Sequence, residues 1–344
     1  MAAYAGPMVS GILNVALSNF AKEYRNNALV AELLAPRVAV QRQMFQYLIF
    51  DRANQRLTQQ TLRAPGARPQ TIRRSWSTNP YNCKSHALSA EIPYETEAYA
   101  LGMNFSLKQK ATEGLIQLIN LDREVYLANL LATAATNTTP LSGTSCWDSY
   151  VKGGANYDIN GFSANGNWVG ANPIAVVDQL KQEIRQAGVS ATHMVVSDPV
   201  HAALRNHPAL IDRFKYTNVS GFLTPAQLSS LFELEYVMAS AVNLDKNDNA
   251  SFVWGQNVVI AHVENVSSME DVSSCKTFSW TDAPDTTDGY GVIEFPDPMR
   301  DSKKDWVSTD WYWDMQITAQ ETIAVLTGVV AAPTMVAIPA PVEG

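Results

Sequence analysis

The sequence is poor in the side chains that metal binding and catalysis draw on most. Its three cysteines, Cys83, Cys146 and Cys275, are odd in number, far apart and without a Cys-x-x-Cys spacing. They read as reduced thiols in a cytosolic setting rather than as a disulfide framework. The five histidines are His86, His193, His201, His207 and His262. His201 and His207 stand six apart, a step that does not share a helix face, so capping or surface roles are expected and no metal is assigned. Charge is also scarce: Asp, Glu, Lys and Arg make up 17% of the chain, with Asn, Thr, Ser and Gln filling the difference. That balance suits surfaces that become buried against other subunits, where an unpaired charge is expensive.

Long apolar runs are missing as well. The first twenty residues have neither the basic leader nor the unbroken apolar core of a secretory signal. Residues 323–340 are apolar, but Pro333 and Pro339 break the run and Thr322, Thr327 and Thr334 dot it. The reading is a buried strand followed by a tail, with no membrane span. Asn-x-Ser/Thr triplets at Asn137, Asn218, Asn249 and Asn265 carry no meaning without secretion.

Enzyme signatures are lacking too. Ser10-Gly11, Ser142-Gly143 and Ser220-Gly221 have no nucleophile-elbow setting. Gly153-Gly154 and Gly289-Tyr290-Gly291 lack the Lys-Ser/Thr of a phosphate loop. Cys146 has no histidine near it in sequence, and Asp122 with Glu124, or Glu95 with Glu97, read as solvated charges. No catalytic role and no cofactor is expected. A hydrolase built on Cys146 or a carboxylate pair is the enzyme alternative, to be recognised by convergence of those groups in a cleft.

What is present is an arginine-rich stretch, 51–79, carrying Arg52, Arg56, Arg63, Arg68, Arg73 and Arg74 against the single acid Asp51, in a chain of formal net charge −8. Its few apolar side chains, among them Leu57, Leu62, Ile72 and Trp76, cannot offset the entropy of ordering it alone. Thr58, Thr61, Thr71 and Ile72 favour extended structure and Ala64-Pro65-Gly66 is a turn signal. A long two-stranded hairpin follows, each arm of about a dozen residues reaching roughly 40 Å. A lone hairpin is marginal in water. It needs a neighbour, and guanidinium donors favour a surface of carboxylates and carbonyls. Arg52, Arg56, Arg63, Arg68, Arg73, Arg74 and Trp76 are the candidate inter-subunit contacts. A nucleic-acid arm would want more stacking aromatics than Trp76.

Around this hairpin the chain is read in order. Residues 1–50 form a partly helical arm ending near Ala35-Pro36, then an extended run over 38–50. The helix expected at 107–135 is capped by Ser106, with Leu107, Ala111, Gly114, Leu118, Leu121, Val125, Ala128 and Ala132 on one apolar face and Lys110, Glu113, Gln117, Asn120 and Glu124 on the other. A polar loop with aromatic anchors covers 136–171. From 172 the pattern is α/β, with Asn172-Pro173, Asp198-Pro199 and Thr224-Pro225 each opening a helix, at about 173–187, 199–206 and 225–233. Strands are expected at 193–197, 235–239, 252–254 and 258–263. Residues 275–330 return to strands at 277–280, 291–295, 306–313 and 315–327, so the α/β unit reads as an insertion.

This order of parts, with TLRAPGARPQTIRRSWST leading to SHALSAEIPYE, then NLDREVYLANLLATAAT, NPIAVVDQLKQEIRQAG, THMVVSDPVHAALRNHP and YGVIEFPDPMRDSKKDWVSTDWYWDMQIT, resembles tailed-bacteriophage major capsid (major head) proteins of the Hong Kong 97-like family. The resemblance implies an α+β fold: an N-terminal arm (1–50), an extended loop (51–86), a peripheral domain (87–171 and 271–334) with a spine helix at 107–135, an inserted α/β axial domain (172–270) and a tail (335–344). It implies a structural protein that assembles as pentamers and hexamers into an icosahedral head around double-stranded DNA, without sequence-specific binding. Its implied place is the virion, after assembly in the host cytoplasm. The implied partners are further copies of the chain, a portal, decoration or cement proteins and, since only about fifty residues precede the loop, a separate scaffolding protein. The family's lysine cross-link has no counterpart, since 51–79 holds no lysine. An encapsulin-like compartment shell is the alternative on the same fold.

Overall fold

The computed structural model describes residues 12–15, 17–18, 26, 29–49, 61–63, 65–66, 68, 71, 77–102, 106–134, 138–140, 147, 172–214, 222–245, 249–264, 268–296 and 303–330. The strands, in chain order, are β1 (Ile12–Leu13), β2 (Arg37–Val40), β3 (Met44–Ile49), β4 (Ser77–Asn82), β5 (Lys84–Pro93), β6 (Thr138–Pro140), β7 (His193–Ser197), β8 (Glu235–Ala239), β9 (Val242–Leu244), β10 (Ala250–Phe252), β11 (Val258–Ala261), β12 (Cys275–Trp280), β13 (Tyr290–Pro296), β14 (Lys304–Ile317) and β15 (Ile323–Thr327).

The first sheet is organised around β14. Val307, Thr309, Trp311, Trp313 and Met315 alternate with more exposed neighbours, the period of a strand buried on one face. β14 pairs antiparallel with β5, β13 and β12, while β2 joins β12 in parallel and β1 joins β13. In the turn from β12 to β13, Gly289 sits at φ +86°, and a Cβ there would come within 2.8 Å of Ser279 Oγ. Only glycine fits this turn.

The second sheet runs β6-β15-β11-β7-β8. β7 (HMVVS) and β11 (VVIA) are buried throughout, as uninterrupted apolar strands covered on both faces should be. Alternation sends Met194, Val196, Val258 and Ile260 toward the helix Pro173–Ala187, whose Val176, Val177, Leu180 and Ile184 are fully buried. It sends Val195, Val259 and Ala261 into a core shared with Trp311, Trp313 and Met315 of the first sheet. Asn172 caps that helix through a bond from the Ile174 amide, and Thr224 with Gln227 forms a reciprocal cap on the helix Pro225–Phe232. The helix expected from Pro199 begins one residue earlier, spanning Asp198–Arg205 with Ser197 at its cap, and a further short helix, Pro208–Phe214, follows it.

The long helix is Leu107–Ala134, and the Ser106 hydroxyl accepts from the Gln109 amide. Its buried face differs from the expected one. Thr112, Leu115, Ile116, Ile119, Arg123, Glu124, Leu127 and Leu131 face inward, whereas Leu118, placed on the apolar face, is 55% exposed. The helix carries apolar residues on two neighbouring stripes, and periodicity alone does not say which one a sheet will cover. Glu124, expected in solvent, is buried.

Other differences are local. The strands expected at 306–313 and 315–327 are one strand, β14, a 3-10 turn (Gln320–Thr322), and then β15, which leaves the first sheet and pairs with β11 in the second. Residues 84–93, which span the expected boundary between the extended loop and the peripheral domain, are β5, and the helix Tyr94–Gly102 follows. The strand expected at 252–254 is β10, ending at Phe252 and paired with β9.

Candidate subunit-contact surface

β3 and β4 form a two-stranded ribbon whose register runs from Met44↔Asn82 to Ile49↔Ser77, enclosing 50–76. The arginine-rich stretch therefore leaves the body from a ribbon that starts at 44. Its root is fixed by aromatic stacking. The rings of Tyr47 and Tyr81 lie 5.2 and 4.7 Å from that of Phe278 on β12, and all three residues are buried. The Asn82 amide donates to Asp314 Oδ2 at 2.9 Å, and Gln43 and Cys83 exchange bonds across the ribbon's foot. Burial raises both tyrosines and pushes the Cys83 thiol up to about 12, so this cysteine is packing, not chemistry.

Away from the root the ribbon shows apolar side chains to solvent. Met44 is 64% exposed and Phe45 51%, with Arg42 stacked over the Phe45 ring at 5.1 Å; Leu48 is also exposed. Within the enclosed segment, Leu62 is 90% exposed and Arg63 and Arg68 are exposed. Pro65 and Gly66 form a turn, with Gly66 at φ +83° and nothing near its missing Cβ. Arg52, Arg56, Arg73, Arg74 and Trp76 lie outside the described residues. A ribbon edged with exposed Met, Phe and Leu, and a turn segment with exposed arginines, present an apolar and basic surface that no described residue covers.

Several other titratable groups are engaged within the fold. Lys108 Nζ lies 3.2 Å from Glu294, 3.3 Å from Asp305 and 3.8 Å from Glu97, while Asn14 donates to Glu294. Burial pulls this ammonium down, and the carboxylates more than offset it, leaving it raised. Lys276 is buried and donates to three carbonyls, Ser268, Met269 and Asp271. His86 stacks on Trp313 and faces Asp122, His201 meets the Tyr236 hydroxyl at 2.7 Å, and His193 faces Glu235. The second buried thiol, Cys275, is also pushed up to about 12 by burial; Cys146 lies outside the described residues. Among the described residues no three His, Cys, Asp or Glu side chains converge as metal ligands, and no helix is long and apolar enough to cross a membrane.

Sequence reasoning missed the buried pair Arg123 and Glu124. Arg123 donates to the Ala35 carbonyl and to Thr277 Oγ1 and lies 5.1 Å over the Trp311 ring. Glu124 accepts from the amides of Val30 and Ala31 and from the Trp254 indole. Burial pushes the Glu124 carboxyl up and the guanidinium of Arg123 down. One signal was available: Ile119 and Leu127 stand four residues either side of Arg123, which puts it on an apolar stripe.

No family model matches the chain. Two curated relatives do, and both are major capsid proteins of phages. That of Burkholderia phage BcepMu is 28% identical over 267 residues, 73% of this chain and 76% of the relative. That of Pseudomonas phage JBD67 is 26% identical over 276 residues, 77% and 81% of the two chains. Among solved structures, a phage-related protein from Bordetella bronchiseptica RB50 superposes with a TM-score of 0.71 at 22% identity, covering 93% of this chain and 98% of that one. The capsid of cyanophage P-SCSP1u gives 0.54 at 10% identity, covering 95% and 92%. An encapsulin from Synechococcus elongatus PCC 7942 gives 0.51 at 10%, covering 92% and 95%. The fold is thus of a mixed α+β class, similar to phage capsid structures. Within that class the sequence relatives support a phage capsid shell protein, and the chain is similar to major capsid proteins over about three quarters of its length.

Proposed function

We propose that this chain is the major capsid protein of a tailed phage, assembling as pentamers and hexamers into an icosahedral head of the Hong Kong 97 type around double-stranded DNA. The observation that carries the reading is the similarity to two phage major capsid proteins over about three quarters of each chain. On this reading 1–50 is the arm, 51–86 with its β3–β4 root the extended loop, 87–171 and 271–334 the peripheral domain, 172–270 the axial domain and 335–344 the tail. The exposed ribbon and its arginines, Arg52, Arg56, Arg63, Arg68, Arg73 and Arg74 with Trp76, clasp the neighbouring copy. Each contact is modest, and the closed shell is stable by summation. A net charge of −8 lets packaged DNA slide rather than stick. A separate scaffolding protein, a portal and decoration proteins complete the virion, assembled in the host cytoplasm.

The test is electron microscopy of the purified protein, alongside size-exclusion chromatography of an Arg63→Ala, Arg68→Ala, Arg73→Ala, Arg74→Ala variant. Closed icosahedral shells, with the variant arrested as capsomers or monomers, are the expected result. A small discrete oligomer that the variant leaves unchanged would refute the shell and the clasp together. The encapsulin likeness supports a second reading, a compartment around protein cargo. Particles from the native source that hold a protein cargo and no DNA would favour it.

A further inference from the structure

The short turn Ala31–Leu34 in the arm carries two kinds of unmet backbone group: amides at its start, a carbonyl at its end. Its own cap residue, Val30, supplies no side-chain bond. Both needs are met by adjacent residues of the long helix. Glu124 Oε2 accepts from the Val30 amide at 3.0 Å and the Ala31 amide at 2.7 Å. Arg123 Nη2 donates to the Ala35 carbonyl at 3.0 Å, and Thr277 Oγ1 donates to the same carbonyl at 2.9 Å. The negative side chain thus sits at the amide end of the turn and the positive one at its carbonyl end, the arrangement a helical dipole favours. Val30, Ala31, Leu34 and Ala35 are all buried beside them.

Neither side chain serves the arm alone. Glu124 Oε1 also accepts from Trp254 Nε1 at 2.5 Å, in the turn between β10 and β11, and Arg123 also reaches Thr277 on β12 at 3.2 Å. Every partner of Glu124 is an N–H donor, and only a carboxylate, with acceptor lone pairs on both oxygens, serves them all. With the group fully buried, water cannot substitute for a lost donor.

We propose that Arg123 and Glu124 form a two-ended clamp that makes seating of the arm and seating of the Trp254 turn one coupled event. A carboxylate aimed by the indole N–H is in place for the two arm amides; with the indole withdrawn, the carboxylate is free to rotate and the arm turn loosens. Coupling of this kind is reciprocal: loosening the arm frees the Trp254 turn to the same degree.

The test uses amide hydrogen exchange on the full chain. Trp254→Phe removes the indole donor and keeps an aromatic ring in the site. Exchange at Val30 and Ala31 is expected to quicken about tenfold, the size of one lost buried bond, while β14 amides keep their rates. In a Glu124→Gln background, where the amide nitrogen of glutamine opposes donors, adding Trp254→Phe is expected to change the arm no further. Unchanged arm amides in Trp254→Phe would overturn the proposal, as would a uniform quickening that includes β7, β11 and β14. An equal effect of Trp254→Phe in both backgrounds would do so too, because the indole would then act on the arm by a route other than Glu124.

Discussion

Three histidines contribute to the acid response of this chain one residue at a time. Burial lowers His86, His193 and His201 from the ordinary 6.5, with Asp122 opposing it at His86, Glu235 at His193 and the Arg205 charge adding to it at His201. A base whose folded value is lowered binds fewer protons folded than unfolded. Its contribution to stability is therefore complete above the unfolded value and is lost as pH falls through the folded one. The melting temperature of the unassembled subunit is expected to drop between pH 7.5 and pH 5, and His201→Gln is expected to make the drop shallower. A melting temperature flat over that range would contradict these burials. None of this was legible in the sequence: five isolated histidines looked alike, and whether a ring is buried against Trp313 or Tyr236 depends on partners over thirty residues away. Glu124 was misread for the same reason, since a carboxylate on a helix looks solvated until three donors from distant segments surround it.

At the scale of elements, local chemistry was well written and face selection was not. Asn172-Pro173 and Thr224-Pro225 announced their helices because cap bonds and proline geometry act within four residues. The long helix was legible in length but not in orientation. Leu127 and Leu131 are buried, while Leu118, four-and-three steps along the other stripe, is open. Leu127→Ala is expected to cost about 3 kcal/mol in denaturant unfolding of the subunit, whereas Leu118→Ala should stay within roughly 0.5 kcal/mol. Equal effects would return the helix to its expected face. The final strand, β15, was not separated from β14 because the region was divided at 314, and the polar stretch at 318–322 that holds the turn was read as part of one strand over 315–327. The 3-10 turn at Gln320–Thr322 ends β14, and pairing with β11 carries β15 into the second sheet.

At the scale of the whole molecule, the two sheets share a core. Val195, Val259, Ile323 and Val325 of the second sheet pack in one core with Cys275, Trp311 and Met315 of the first, under Ile119, Leu127 and Leu131 of the long helix. A shared core makes the two sheets lose structure together. Calorimetry of the unassembled subunit is expected to show one transition, with calorimetric and van't Hoff enthalpies equal; two resolved transitions would mean that the sheets unfold as separate units.

The parallel pairing of β2 with β12 also bears on how the chain is made. The Trp280 indole donates to the Gln41 carbonyl across 239 residues of sequence. At a ribosomal pace of about 5–20 residues per second, the strand that receives the arm emerges on the order of ten to fifty seconds after the arm itself. A nascent chain therefore carries its arm unseated through most of its synthesis. Emergence of β15 is the moment at which the two sheets first have all their described strands in hand.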